Sequence, residues 1–198
     1  MSTPPPPQTE REFIGSAVGF YAFMGAVAAL WMWLRGEPIG RLLTPGTPLG
    51  GDDPAIWLQI LVGVGFGLVV AWVSQKMSQH LEFARKLSQE IRLMLPELSL
   101  GGVAVAAVTS SVGEELLFRG AMQDHLGFWV TAIIFAIVHG FFDRRYLAWM
   151  GFAGLMGLAF GLMTLWMGTL VAPVLAHFTV NFINLNHLVQ TPDESQPT

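Results

Sequence analysis

The run from Tyr146 to Pro192, YLAWMGFAGLMGLAFGLMTLWMGTLVAPVLAHFTVNFINLNHLVQTP, is 47 residues long and contains no Asp, Glu, Lys or Arg. As one helix it would be roughly 70 Å long, more than twice the ~30 Å hydrocarbon core of a bilayer. It therefore predicts two membrane-spanning helices. Met167-Gly168-Thr169 is the natural break, and Pro173 stands in the first turn of the second helix, where its missing N–H costs nothing.

Outward from this run, other charge-free stretches mark further spans: Phe13–Leu34, Pro54–Gln75, Leu98–Gly113 and Leu126–Phe142. The composition agrees. Hydrophobic residues make up 53% of the 198 and charged residues only 12%, about half of the roughly 25% charge of soluble domains. A soluble chain of this size buries only about 70% of its surface and could not hide so much apolar side chain. Segment Ser74–Pro96 differs. Met77, Leu81, Ala84, Leu87, Ile91 and Met94 recur at helical spacing while Lys76, Arg85, Lys86 and Arg92 take other faces, as in an amphipathic helix lying at the membrane surface or extending the second span. The expected fold is all-α: a multi-pass transmembrane bundle of about six spans with one amphipathic surface helix.

The expected organisation is a disordered arm over 1–12, carrying the Pro4–Pro7 run, then two transmembrane helices and the amphipathic helix over 13–97. A four-helix core over 98–189 and a disordered tail over 190–198 follow. With six spans, the side holding both termini carries seven Lys and Arg residues and the other side three, which predicts cytoplasmic termini, in the cytoplasmic membrane if the source is prokaryotic. The first apolar run has no small-residue cleavage site behind it and reads as an anchor rather than a signal peptide. A net charge of −4 offers no basic field for nucleic acid, and zero Cys removes thiolate catalysis and cysteine metal sites. Gly63 and Gly67, and then Gly151, Gly154, Gly157 and Gly161, have the small-residue spacing of close helix packing in lipid.

Polar residues at bilayer depth are costly and mark function. Three groups stand out: Glu114-Glu115-Leu-Leu-Phe-Arg119, Phe135-Ala-Ile-Val-His139 and His177-Phe-Thr-Val-Asn181. Glu115 and Arg119 are i,i+4 neighbours able to pair, whereas Glu114, rotated by about 100°, has no cation in its own helix. Counted from a turn at Gly127, Glu114 lies 13 residues before and His139 12 residues after, heights of roughly 20 and 18 Å. Counted from Gly168, on the same side of the membrane, His177 and Asn181 lie 9 and 13 residues on, roughly 14 and 20 Å. A carboxylate, two imidazoles and an amide thus meet at similar depth. The plainer alternative, interhelical glue, suits Glu115–Arg119 but leaves Glu114 unexplained. His80, His125 and His187 sit at helix ends or in the surface helix and read as structural.

EELLFRG, FAIVH and HFTVN match the three motifs EExxxR, FxxxH and HxxxN of the CPBP (Abi, Rce1-like CAAX-protease) family of intramembrane glutamic endopeptidases, which this chain resembles over about Leu98 to Val189. The resemblance implies that Glu114 and His139 hold the hydrolytic water, with Glu114 as general base. It further implies that His177 and Asn181 stabilise the oxyanion, with Arg119 holding Glu115 and Phe135 supporting the site. No cofactor is required on this reading. Zinc bound by Glu114 or Glu115, His139 and His177 is a weaker alternative, and a non-catalytic membrane scaffold or bacteriocin-immunity protein is another. The expected partners are the lipid bilayer and a membrane-protein or peptide substrate, either lipidated or carrying a C-terminal signal, and no nucleic acid.

Overall fold

A computed structural model describes residues 8–46, 51–52, 54–140 and 146–191. The Pro4–Pro7 arm, the tail beyond residue 191 and the loop bearing Arg144 and Arg145 lie outside the described residues. Within them the chain is helical, without strands.

The first helix, α1 (Glu10–Leu34), begins inside the segment expected to be disordered through residue 12. The reason is a capping box. The Thr9 side chain accepts from the Glu12 N–H, and the Glu12 carboxylate accepts from the Thr9 N–H at 2.9 Å, satisfying two N–H groups that a helix start leaves unpaired. Glu10 then accepts from the backbone and hydroxyl of Ser99 (2.9 and 2.6 Å), latching the start of α1 to that of α4 (Leu100–Glu115), which Ser99 also caps.

The segment expected as one amphipathic helix is divided. Its first residues complete α2 (Ile56–His80), Leu81 is extended, and α3 (Glu82–Met94) follows as a separate helix. It packs on α2, α7 (Leu147–Met167) and α8 (Val171–Gln190) while Glu82 and Lys86 pair at 2.7 Å in the open. α4 runs without a break into a π-helical stretch, Leu116–Met122, and then α5 (Gln123–Leu126). Gly127 (φ +85°) makes the turn into α6 (Phe128–Gly140), and Gly168 (φ +72°) separates α7 (Leu147–Met167) from α8 (Val171–Gln190). Both turns use backbone conformations that only glycine adopts freely.

Among the described residues, four helices are long and apolar enough to cross a membrane: Glu10–Leu34, Ile56–His80, the continuous Leu100–Leu126, and Leu147–Met167. The other two expected spans fall short of that description. α6 has 13 residues, about 20 Å of helix against a ~30 Å core. α8 is free of Asp, Glu, Lys and Arg but carries His177, Thr179, Asn181, Asn184, Asn186 and His187. Charge-free sequence marks membrane depth without fixing how much of the bilayer each helix crosses.

α2 packs along α8, α6 along α7, and α1 and α8 against α4. A Cβ on Gly63 would lie 2.5 Å from the Ala172 carbonyl oxygen, and one on Gly67 2.6 Å from Thr179 Cβ, so this crossing depends on glycine. Gly154 and Gly157 meet α6 at 3.3 Å in the same way, whereas Gly151 faces open space. The polarity is reversed relative to a soluble domain. Phe20, Phe23, Trp33, Trp57, Leu61 and Trp72 face outward, while Gln59, Ser111, Glu115, Arg119, Gln123 and Thr164 are buried. Outward apolar and inward polar groups suit an integral membrane protein, whose solvent is lipid and whose polar groups must find partners inside.

Candidate active site

The end of α4 and the π-helical stretch after it supply three ionisable side chains. Glu115 and Arg119, 0% and 1% exposed, pair through Glu115 Oε1 and Arg119 Nη1 at 3.0 Å. Arg119 Nη2 also donates to the Gly157 carbonyl (3.3 Å), and its guanidinium lies 4.3 Å from the Phe135 ring centroid. Four residues further, Gln123 Nε2 donates to the Gly161 carbonyl at 3.0 Å. Arg119 is thus held by a carboxylate, a backbone oxygen and an aromatic face, each suited to guanidinium.

Phe135 acts twice. Its ring covers Arg119, and its carbonyl oxygen lies 2.7 Å from His139 Nδ1. A carbonyl only accepts, so Nδ1 carries a proton, and it is the neutral ring that offers a lone pair at Nε2. That lone pair lies 3.6 Å from Glu114 Oε2. The two acceptors are too far apart to bond directly, and each lies at a distance that one water could bridge.

From α8, His177 Nδ1 is 2.8 Å from Glu115 Oε1 and Nε2 is 3.9 Å from Glu114 Oε2. The imidazole stands between the two carboxylates, stacked on Phe160 at 5.1 Å. One turn on, Asn181 Nδ2 donates to Ser110 Oγ at 3.0 Å. Glu114 is 7% exposed, and its Oε2 is buried with no hydrogen-bond partner among the described residues.

Glu114, His139, His177 and Asn181 all line one cavity of about 290 Å³, with Phe135 in its wall. Glu115 and Arg119 form the layer behind it. Two further lining residues that carry hydroxyls, Ser110 and Tyr21, have no place in the sequence reading. Ser110 was legible as the residue one turn before Glu114 on the same face; Tyr21 lies on α1, with no signal of proximity in the sequence. His125 packs against Trp31, and His187 lines a separate groove beneath α3. Among the described residues no three His, Asp or Glu side chains have the spacing of a metal site.

Residues 96–183, which contain all three motifs, match the family described as type II CAAX prenyl endopeptidase Rce1-like. The uncharacterised protein YpbD of Bacillus subtilis (strain 168) is 30% identical over 135 residues, 67% of this chain and 68% of that protein. No solved structure matches. With polar side chains from three motifs gathered on one buried cavity of a helical membrane bundle, the chain belongs to the Rce1-like CAAX endopeptidase family of membrane proteases.

Proposed function

We propose that the chain is an intramembrane endopeptidase that hydrolyses a peptide bond with water activated by Glu114. The observation that carries this reading is the facing pair of Glu114 Oε2 and His139 Nε2 across 3.6 Å, with His139 Nδ1 already committed to the Phe135 carbonyl. Water held between them donates one hydrogen to each. Attack of its oxygen on the scissile carbonyl carbon passes a proton to the Glu114 carboxylate. The carbonyl oxygen becomes an oxyanion. Its donors are the Asn181 amide and the Nε2–H of a His177 ring protonated on both nitrogens, whose Nδ1–H donates to Glu115. As the C–N bond breaks, Glu114 returns its proton to the leaving amine. Atoms and charge balance, and neither a covalent enzyme intermediate nor a cofactor takes part.

The substrate on this reading is a membrane-associated polypeptide, lipidated or carrying a C-terminal signal. An apolar groove of about 140 Å³ between α2, α3, α7 and α8 shares Trp149 and Phe152 with the catalytic cavity and would receive its apolar portion. The test compares membrane proteomes, including C-terminal peptides, from cells carrying the wild-type chain or Glu114→Gln. Polypeptides that lose a cleaved terminus only in the variant are the substrates, and identical profiles would sink the reading.

A further inference from the structure

α1 lies outside the residues matched to the family and carries none of its motifs, yet it sends one polar side chain into the catalytic cavity. The chain contains only 2 Tyr, and one of them, Tyr21, lines the cavity beside Glu114. The phenol and the Glu114 carboxylate thus border the same space.

The approach is built into the backbone. Gly113 immediately precedes Glu114, and a Cβ there would lie 2.8 Å from both the Cβ and the carbonyl oxygen of Tyr21. α1 and α4 therefore touch at the level of the carboxylate only because residue 113 has no side chain. The Tyr21 ring is anchored against the apolar cluster of Met24, Phe118, Phe135 and Ala153, with Phe20 edge-on at 5.2 Å. An apolar body held in this way gives the phenolic O–H a fixed direction.

The carboxylate needs such a donor. The groups facing Glu114 are His139 from α6, His177 from α8 and Tyr21 from α1, with Glu115 and Arg119 behind. His139 offers a lone pair, and His177, committed through Nδ1 to Glu115, holds Nε2 at 3.9 Å from Glu114, beyond hydrogen-bond reach. Ser110 on α4 accepts from Asn181 and donates to the Ala107 carbonyl. A phenol O–H is a donor whose proton stays in place at neutral pH.

We propose that Tyr21 is a positioning residue for Glu114: its hydroxyl donates to the carboxylate and turns the remaining oxygen toward His139 and the water between them. The catalytic part of this role rests on the glutamate-activated reading above; the hydroxyl–carboxylate contact does not.

The test uses purified full-length protein in lipid nanodiscs and two infrared readouts that need no substrate. The carboxyl band lost in Glu114→Gln belongs to Glu114. In Tyr21→Phe that band changes frequency, because a hydrogen bond to the carboxylate has gone. In a Tyr146→Phe background Tyr21 is the remaining tyrosine, so its C–O stretch reports the same contact from the other side and shifts when Glu114→Gln is added. This second measurement holds even if Tyr21→Phe fails to fold. With a substrate from the proteome comparison, Tyr21→Phe lowers kcat by roughly tenfold and leaves KM within about twofold. A Glu114 band and Tyr21 stretch indifferent to each other would overturn the proposal, even if activity fell. Unchanged cleavage by Glu114→Gln would overturn the protease reading alone.

Discussion

Arg119→Ala tests whether the charge behind the cavity is architectural. Arg119 is 1% exposed and Glu115 0%, so the pair has no water to fall back on. Removing the guanidinium leaves Glu115 with only the His177 Nδ1 contact, and breaking one side of a buried pair costs about 3–5 kcal/mol. The Gly157 carbonyl loses a donor and Phe135 loses its cation at 4.3 Å, which adds about 1–2 kcal/mol. Against a typical stability of about 5–15 kcal/mol, that is enough to deplete the folded state. We expect low accumulation in membranes and a folded-to-unfolded ratio in denaturing detergent reduced by more than about a hundredfold. Arg119→Lys keeps the charge but lacks the planar fork and should fall between wild type and alanine. Arg119→Met with Glu115→Gln removes both charges together and should recover much of the stability without restoring turnover. An abundant Arg119→Ala protein of wild-type stability that has lost only turnover would refute the architectural role and place Arg119 in the chemistry.

Glu114→Gln keeps the shape but cannot take the water's proton, so turnover should fall by at least about 100-fold while detergent stability is unchanged. Asn181→Ala should slow turnover by about 100- to 1000-fold if its amide serves the oxyanion; Ser110→Ala, which frees that amide, should have a smaller effect on kcat, and steady-state kinetics of the two variants check the order. Turnover should survive metal chelators, and sensitivity reversed by zinc would transfer water activation to a metal held by Glu114, His139 and His177. Reporter fusions after Gly46 should be extracytoplasmic and those after Gln89 and at the C-terminus cytoplasmic, an orientation that the opposite pattern at Gly46 and the C-terminus would reverse.

What the sequence discloses about the site is what lies within one or two turns of a helix. Glu115–Arg119 and Phe135–His139 are i,i+4 relations and can be read from spacing alone. The turns at Gly127 and Gly168 were legible because each requires a backbone conformation natural to glycine. The Thr9–Glu12 box was equally local, and its Thr-x-x-Glu signature marks the start of α1. Other features depend on docking. That His177 reaches Glu115 through one nitrogen and Glu114 through the other follows from how α8 lies against α4. Tyr21 enters through the α1–α4 crossing at Gly113, a relation 92 residues apart in sequence. The break at Leu81 has no Gly or Pro beside it to announce it.

The π-helical stretch was also silent in the sequence, and it accounts for the division of labour between adjacent carboxylates. It starts directly after Glu115 and includes Arg119, then passes to Gln123. Arg119 and Gln123, four residues apart, donate to the carbonyls of Gly157 and Gly161, also four residues apart. The wider turn aligns two polar side chains as rungs along α7. The glycines of α7 therefore do more than allow close packing. They expose backbone oxygens that already serve the helix, each with a second lone pair for a side-chain donor. A Cβ on Gly161 would lie 2.6 Å from Gln123 Oε1 and push that rung away. In a medium without water these bonds have no substitute, so α7 fixes Arg119, Arg119 fixes Glu115, and Glu115 orients His177. Glu114 is outside that chain of restraints, and its free Oε2 is left facing the cavity.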